Sequence, residues 1–344
     1  MNVKSLLLGS AAASMLAATG AQAADPIVYV EPEPMEYVRI CDVYGAGFFY
    51  IPGTETCLQI SGFVRTQYGF NTEEVESLDT PNFHAQTRFD TFNYNNRARI
   101  NFDARSETEW GTLRSYIRLQ ADSGNSFQSD VGVGIDQAYI SLGGLLMGYT
   151  ESLWVGHGGF SDTGMNYGYQ QRQQIRYSFA ANGFGAAVSV EGYDGMEYMP
   201  DVVAEVSFTQ GWGSVLGTVG YDDSVDGFGA ALSGTVNIGA TGGALKLSGF
   251  YTDEPGVVYG ARMYDGNRAE WSVLAAYQQK LTDSLTGIIE YQYFDSHLAD
   301  RHQHAVLGSL VWFPVKDFEI RTELAWTTAE DALGDLDDNW SGFL

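Results

Sequence analysis

The chain has 344 residues, and its 43 acidic against 18 basic side chains leave a net charge of −25. So acidic a chain argues against nucleic acid as a partner, because that partner is held by Lys and Arg neutralising phosphates. The 41 glycines, 21 tyrosines and 19 phenylalanines stand beside only 8 prolines and 2 cysteines, a composition that suits a β-barrel with aromatic belts and is shared by other aromatic-rich β proteins.

The opening residues read as a leader. Lys4 is followed by Leu6-Leu7-Leu8 and an alanine-rich run to Ala18, and Ala21-Gln22-Ala23 supplies small residues at a cleavage site. A basic start, a short apolar region and an A-x-A end predict export, with residues 1–23 removed as a signal peptide. Residues 24–57 form an N-terminal segment ahead of the first strand, extended and acidic over 25–36. It holds both cysteines, Cys41 and Cys57. An even pair in an exported protein predicts a disulfide, worth roughly 3 kcal/mol in the chain-entropy account. No histidine lies near enough in sequence to offer a metal pair instead.

Residues 58–344 read as the barrel. No stretch supplies the ~20 consecutive apolar residues of a transmembrane helix, and a mean hydropathy of −0.15 fits strands that are polar on one face. Leu58, Ile60 and Val64 alternate with Gln59, Ser61, Arg65 and Gln67. The next stretch, RARINFDARSETEWGTLRSYIRLQAD at 97–122, is the most informative in the chain. Ala98, Ile100, Phe102 and Ala104 fall on one strand face; Arg97, Arg99, Asn101, Asp103 and Arg105 fall on the other. Past a turn at 109–111, Leu113, Ser115, Ile117 and Leu119 alternate with Thr112, Arg114, Tyr116, Arg118 and Gln120. Five arginines on one face of a hairpin require water on that side. The apolar face then meets either a soluble core or lipid.

Alternating stretches continue at 135–142, 145–150, 174–180, 184–192, 202–209, 214–222, 227–238, 244–252, 269–279, 284–294, 303–313 and 318–328, and a last strand begins near Asn339. This predicts an all-β, transmembrane antiparallel β-barrel of about 16 strands. Connections alternate between tight turns (Gly143-Gly144, Asn182-Gly183, GWG at 211–213, GATGG at 239–243) and long loops (71–96, 123–134, 151–173, 253–268, 295–302, 329–338). Segregation of short turns to one end and long loops to the other is expected of an outer-membrane barrel and not of a soluble sandwich. Trp110, Trp212, Trp271, Trp312, Trp326 and Trp340 sit near proposed strand ends, where aromatic girdles belong.

Other candidates are weak. His302 and His304 share a strand face but lack a third ligand, so no metal site is expected. The acidic run 330–339 lacks calcium-loop spacing and reads as an exposed loop attractive to divalent cations held by lipopolysaccharide. Gly132 and Gly134 are turn glycines, because no βαβ unit surrounds them. The five histidines lie in or beside loops and no G-x-S-x-G motif occurs, so neither an enzyme nor a cofactor is expected. A non-conducting adhesin or structural barrel is the competing class, and ion conductance separates it from a channel.

Several segments carry a family resemblance: ADPIV, EYVRICDVYGAGFFYIPGTETCLQISGFVR, ETEWGTLRSYIRL, AYISLGGLLMGYTES, and the text from MPDVV to TQGWGS. Together they resemble the alphaproteobacterial outer-membrane general porins of the rhizobial and Brucella type, over nearly the whole chain. The resemblance implies a homotrimer of sixteen-stranded barrels in the Gram-negative outer membrane, in contact with its lipid and lipopolysaccharide, passing small hydrophilic solutes and ions. It also implies that the third long loop folds into the barrel. Here that loop is TESLWVGHGGFSDTGMNYGYQQRQ, glycine-rich with Glu151 and Asp162 as its only acids. Folded inward, it would set those two carboxylates opposite Arg97, Arg99, Arg105, Arg114 and Arg118 and create a transverse field at a narrowing. The plain alternative is that the arginines pair with wall acids such as Asp103. A solute-specific channel is the variant within this class. Only the six residues 339–344 follow the acidic loop 329–338, fewer than the 9–11 of a spanning strand. The last strand is therefore expected to be incomplete, as in a sequence cut short by roughly half a strand.

Overall fold

The computed structural model describes residues 39–344 apart from 73–77, 81–82, 86–90, 125–131, 164, 193–198, 240, 265, 298–300 and 332–333. The expected signal peptide and the segment 24–38 lie outside the described residues. Within the compact unit Ile40–Leu344, sixteen antiparallel strands close into a barrel. They are β1 (Cys57–Asn71), β2 (Thr91–Thr108), β3 (Gly111–Gly124), β4 (Val133–Leu142), β5 (Leu145–Glu151), β6 (Gln171–Ala181), β7 (Phe184–Gly192) and β8 (Asp201–Gln210). The second half comprises β9 (Gly213–Asp222), β10 (Gly227–Ile238), β11 (Gly243–Thr252), β12 (Ala269–Lys280), β13 (Leu285–Ser296), β14 (His302–Val315), β15 (Phe318–Asp331) and β16 (Gly334–Phe343). Each strand pairs with its successor and β16 returns to β1, so every strand has neighbours on both sides, as a hydrocarbon environment demands.

Strand parity is inverted relative to a soluble protein. Leu232 is 62% exposed and Val188, Val206 and Leu247 are likewise exposed, while the intervening Ser189, Ser233, Ser248 and Gln292 are 3% exposed or less. Apolar side chains therefore point outward to lipid and polar ones inward. At the turn end Trp110, Trp212 and Trp312 are exposed, and at the loop end Trp271 and Trp340, two aromatic belts bounding the apolar band.

The closing seam has two parts. Near the loop end, Ser341, Gly342 and Phe343 pair with Asn71, Phe70 and Gly69, and Leu344 and Tyr68 exchange backbone bonds of 2.8 Å in both directions. At the turn end the short strand Phe49–Tyr50 pairs with Leu58 and Cys57 of β1. The Cys41–Cys57 disulfide anchors that strand, with buried Phe48 packed against it. β16 starts at Gly334, five residues before the sequence reading placed it, because the acidic run is a paired hairpin rather than a loop: Asp331 faces Gly334 and Glu330 faces Asp335. The long first loop also holds a small hairpin, Leu78–Thr80 with Phe83–Ala85.

If the outward face meets lipid, Leu232→Arg should cost about 2–4 kcal/mol near the bilayer midplane. Urea titration of the protein folded into vesicles should show a loss of that size, whereas Gln59→Arg on the lumen side should leave the midpoint nearly unchanged.

Candidate functional site

The arginine hairpin forms one wall of the lumen, and its charges are paired at two levels. Toward the loop end, Arg97, 3% exposed, holds Asp122 at 2.6 Å. Arg99 donates to Gln120 at 2.5 and 3.0 Å and lies 3.5 Å from Asp136. Arg118 pairs with Asp136 and lies 3.7 Å from Glu151. A bulge between Arg118 and Leu119 against β4 leaves Asp136 outside the regular register and beside both Arg99 and Arg118. Nearer the turn, Arg105 and Arg114 both grip Asp103, at 2.7 and 2.8 Å. The five predicted arginines are thus on one lumen face, but Arg105 and Arg114 sit about 20 Å along the strand from Arg99, a separate group.

The third long loop does fold inward, and its tethers explain why. From the end of β5 it crosses to the opposite wall. Trp154 is fully buried and donates from Nε1 to the Tyr167 carbonyl at 2.9 Å. Fully buried His157 lies 2.6 Å from Ser233 Oγ and 2.9 Å from Thr218 Oγ1, and its carbonyl accepts from Ser248 Oγ at 2.8 Å. Lys246 Nζ donates to the Gly156 carbonyl at 2.7 Å. The loop tip is held by two buried carboxylates. Glu290 accepts from the Phe160 and Ser161 backbone N–H groups and from Ser161 Oγ. Glu323 accepts from the Asp162 N–H at 2.8 Å. A carboxylate with several donors is a strong anchor, and Gly159 packs so tightly on Glu290 that a Cβ there would lie within 2.5 Å of its carboxyl atoms.

Of the two predicted loop acids, Glu151 closes β5 rather than sitting in the loop. It accepts from Gln137 Nε2 and Tyr169 O–H, both at 3.2 Å. Asp162 lies at the tip but meets Arg65 of β1 at 2.8 Å, not one of the five hairpin arginines. Arg65, Asp122 and Asp136 are site residues that the sequence reading did not single out. Arg65 was already visible as polar-side in β1, and its register partner is Arg97.

A second loop also enters the barrel. In 253–268, Tyr259 is fully buried, donates to Asp201 at 2.9 Å and reaches Glu191 at 3.3 Å; Val258 N–H donates to Asp222 at 2.8 Å. Val257, Ala261 and Met263 join Trp154, Met165, Phe250, Leu274 and Phe294 in one apolar cluster. The side of the lumen under β8–β14 is therefore filled, and the loop tip reaches the β1 wall through the Asp162–Arg65 pair.

The comparisons agree with this geometry. The porin subfamily matches residues 25–342. The chain belongs to that family. Porin Omp2b of Brucella suis biovar 1 (strain 1330) is 35% identical over 359 residues, covering 95% of this chain and 93% of the relative. Porin Omp2b of Brucella neotomae is 38% identical over 301 residues, covering 79% and 80%. Among solved structures, the outer membrane channel DcaP of Acinetobacter baumannii superposes with a TM-score of 0.68 at 17% identity, over 86% of this chain and 97% of that one. A loop-deletion mutant of OmpT from Vibrio cholerae gives 0.56 at 12% identity, over 84% and 99%. The protein is an outer-membrane porin of the Gram-negative envelope, and its family is one of channels.

His302 and His304 open β14 of the porin on its outward face, since the intervening Gln303 points inward and accepts from the Tyr264 N–H at 2.8 Å. His304 Nδ1 lies 2.8 Å from the Tyr291 hydroxyl, an aromatic-belt contact. Among the described residues no group of three or more His, Cys, Asp or Glu is arranged to hold a metal.

Burial, with the Lys246 ammonium nearby, pushes the His157 pKa from 6.5 down to about 3. The released loop would protonate near the ordinary value, so the neutral ring's contribution to loop docking is full above about pH 6.5 and is lost as pH falls toward 3. Single-channel recordings should therefore show growing current noise between pH 6 and pH 4. His157→Asn should remove most of that pH dependence; noise unchanged by the substitution would place its origin elsewhere.

Proposed function

We propose that this porin is a general diffusion channel for small hydrophilic solutes and ions, working as a homotrimer among outer-membrane lipid and lipopolysaccharide, with no catalytic step. The observation that supports the reading is a lumen packed on one side by two inward loops, with paired charges along the β1–β4 wall opposite. In this account Arg97, Arg99 and Arg118, with Arg65, form the positive side of the narrowing, and Asp162 and Glu151 form the loop side. Arg105 and Arg114 belong to the vestibule below. A solute passing between the tip and the wall meets opposed charges across a short gap, which orients dipoles and sorts by size and charge. Because wall acids already neutralise much of the arginine charge, selectivity between ions is modest and set by the small imbalance. The trimer is supported by family membership.

A unit charge about 8 Å from the ion path is worth about 0.5 kcal/mol at the dielectric of water, or roughly a factor of two in local ion concentration. Replacing Arg97, Arg99 and Arg118 together by Gln should thus raise the cation-to-anion permeability ratio severalfold while the protein still folds. Reversal potentials in a salt gradient read this directly. A triple variant with the wild-type reversal potential would show that these side chains do not line the narrowing.

A further inference from the structure

From the narrowing toward the turn end, the water-side face of β1–β4 carries aromatic rings that an ion passage does not need. Phe63 shares the lumen face with its register partner Arg99, whose guanidinium lies 5.1 Å from its ring centre, and Phe63 remains 43% exposed. Further down, Tyr116 and Tyr139 are cross-strand partners stacked at 5.1 Å, with Arg114 over both at 5.0 and 5.4 Å. Tyr116 faces Asp103 across the hairpin, so it shares the lumen face with the carboxylate that holds Arg105 and Arg114. At the turn end Arg105 lies 5.6 Å from the Tyr44 ring and 5.0 Å from that of Phe48, two residues brought there by the disulfide-anchored segment. The Tyr116 and Tyr139 rings are both half-buried.

Exposed aromatic surface in a water-filled lumen is unfavourable unless something apolar visits it. Arg105 and Arg114, stacked over the rings, spend Nε and Nη2 on Asp103 and fill its acceptor sites, which leaves their remaining N–H donors for a solute. A solute that matches this wall has one apolar C–H face for the rings and a rim of hydroxyls for the arginines and tyrosine hydroxyls. Pyranose rings have that build; simple ions and small polyols lack the broad apolar face. Successive stations at Phe63 and the Tyr116–Tyr139 stack suit a linear chain of such rings better than a single one.

We propose that the Phe63, Tyr116 and Tyr139 lane, with Arg105 and Arg114 held by Asp103, is a binding path for neutral linear oligosaccharides that runs from the narrowing toward the turn end. The proposal rests on the channel reading above and names one solute class that this channel favours. Weak binding at several stations is what a conducting path requires, since a solute must be able to leave each one.

The test is sugar-induced block of ion current through the full chain reconstituted in a planar bilayer, with maltotriose to maltohexaose as probes. Block should appear from the turn-end side, with a half-blocking concentration that falls as the sugar lengthens. Each lost ring contact is worth about threefold to tenfold, so Tyr116→Leu with Tyr139→Leu should raise the half-blocking concentration by at least that much. Phe63→Leu, at a position open to water and tolerant of change, should raise it by a few-fold. Both variants should retain ion conductance, which certifies their fold. A conducting wild type without length-dependent block, or block unchanged in both variants, overturns the saccharide path while leaving the porin reading intact. A wild type that conducts no ions overturns both.

Discussion

Five guanidinium groups on one face of a two-stranded hairpin cannot be set against hydrocarbon, and this constraint orders everything else. The opposite face of the same hairpin, with Ile100, Ile117 and Leu119, has the reverse requirement. Since successive strand residues face opposite sides, satisfying one requirement satisfies the other only if water is inside and lipid outside. An aqueous interior in turn demands a closed sheet, because an open edge at bilayer depth leaves backbone groups without partners. Sixteen strands meet that demand, and the seam between β16 and β1 is supplemented at its base by Phe49–Tyr50. The disulfide between Cys41 and Cys57 thus acts on closure as well as on the N-terminal segment.

The interior is then wider than a selective passage needs, and two loops fill it. They are held by different means. The third long loop is fixed at its tip by the carboxylates of Glu290 and Glu323 and along its length by His157, Trp154 and the Lys246 ammonium. The loop 253–268 is fixed by the Tyr259 hydroxyl between Asp201 and Glu191. Both place apolar side chains against the β8–β14 wall, so the lumen has a packed side and a wet side. On the wet side each arginine found has an acid within reach, while the charged groups of the packed side, Glu191, Asp201, Lys246, Glu290 and Glu323, hold the loops in place. This pairing lets a chain with 18 basic residues line its passage with cations without strong ion preference.

The parts legible in the sequence were those governed by the two-residue period. The hairpin, the strand number and the shared face of Arg97 to Arg118 follow from alternation, and the segregation of short turns from long loops turns that face toward the lumen. The acidic run 330–339 hid the start of β16, because strand propensity is poor for Asp and Gly and only pairing with β15 reveals it. The partners that tether the third loop were illegible for another reason. Glu290 and Glu323 lie about 130 and 160 residues away from it, and nothing local marks a strand carboxylate as a loop anchor. The inward fold of 253–268 left a faint trace, the alternation of Val257, Tyr259, Ala261 and Met263 in a segment otherwise read as an exposed loop. Asp162 was expected to face the hairpin arginines and instead reaches Arg65, a neighbour across β1 that no sequence spacing connects to it.

The central claim, water on the arginine face and a loop narrowing beside it, is most directly tested by cysteine substitution one residue at a time along β3, with a charged, water-soluble thiol reagent and conductance as the readout. The two native cysteines are bonded to each other and do not interfere. The account predicts modification and a stepwise current change at Arg114, Tyr116, Arg118 and Gln120, and none at Ser115, Ile117 and Leu119, with the largest step at Arg118 beside the loop. Uniform reactivity, or reactivity at Ile117 and Leu119 instead, would contradict it.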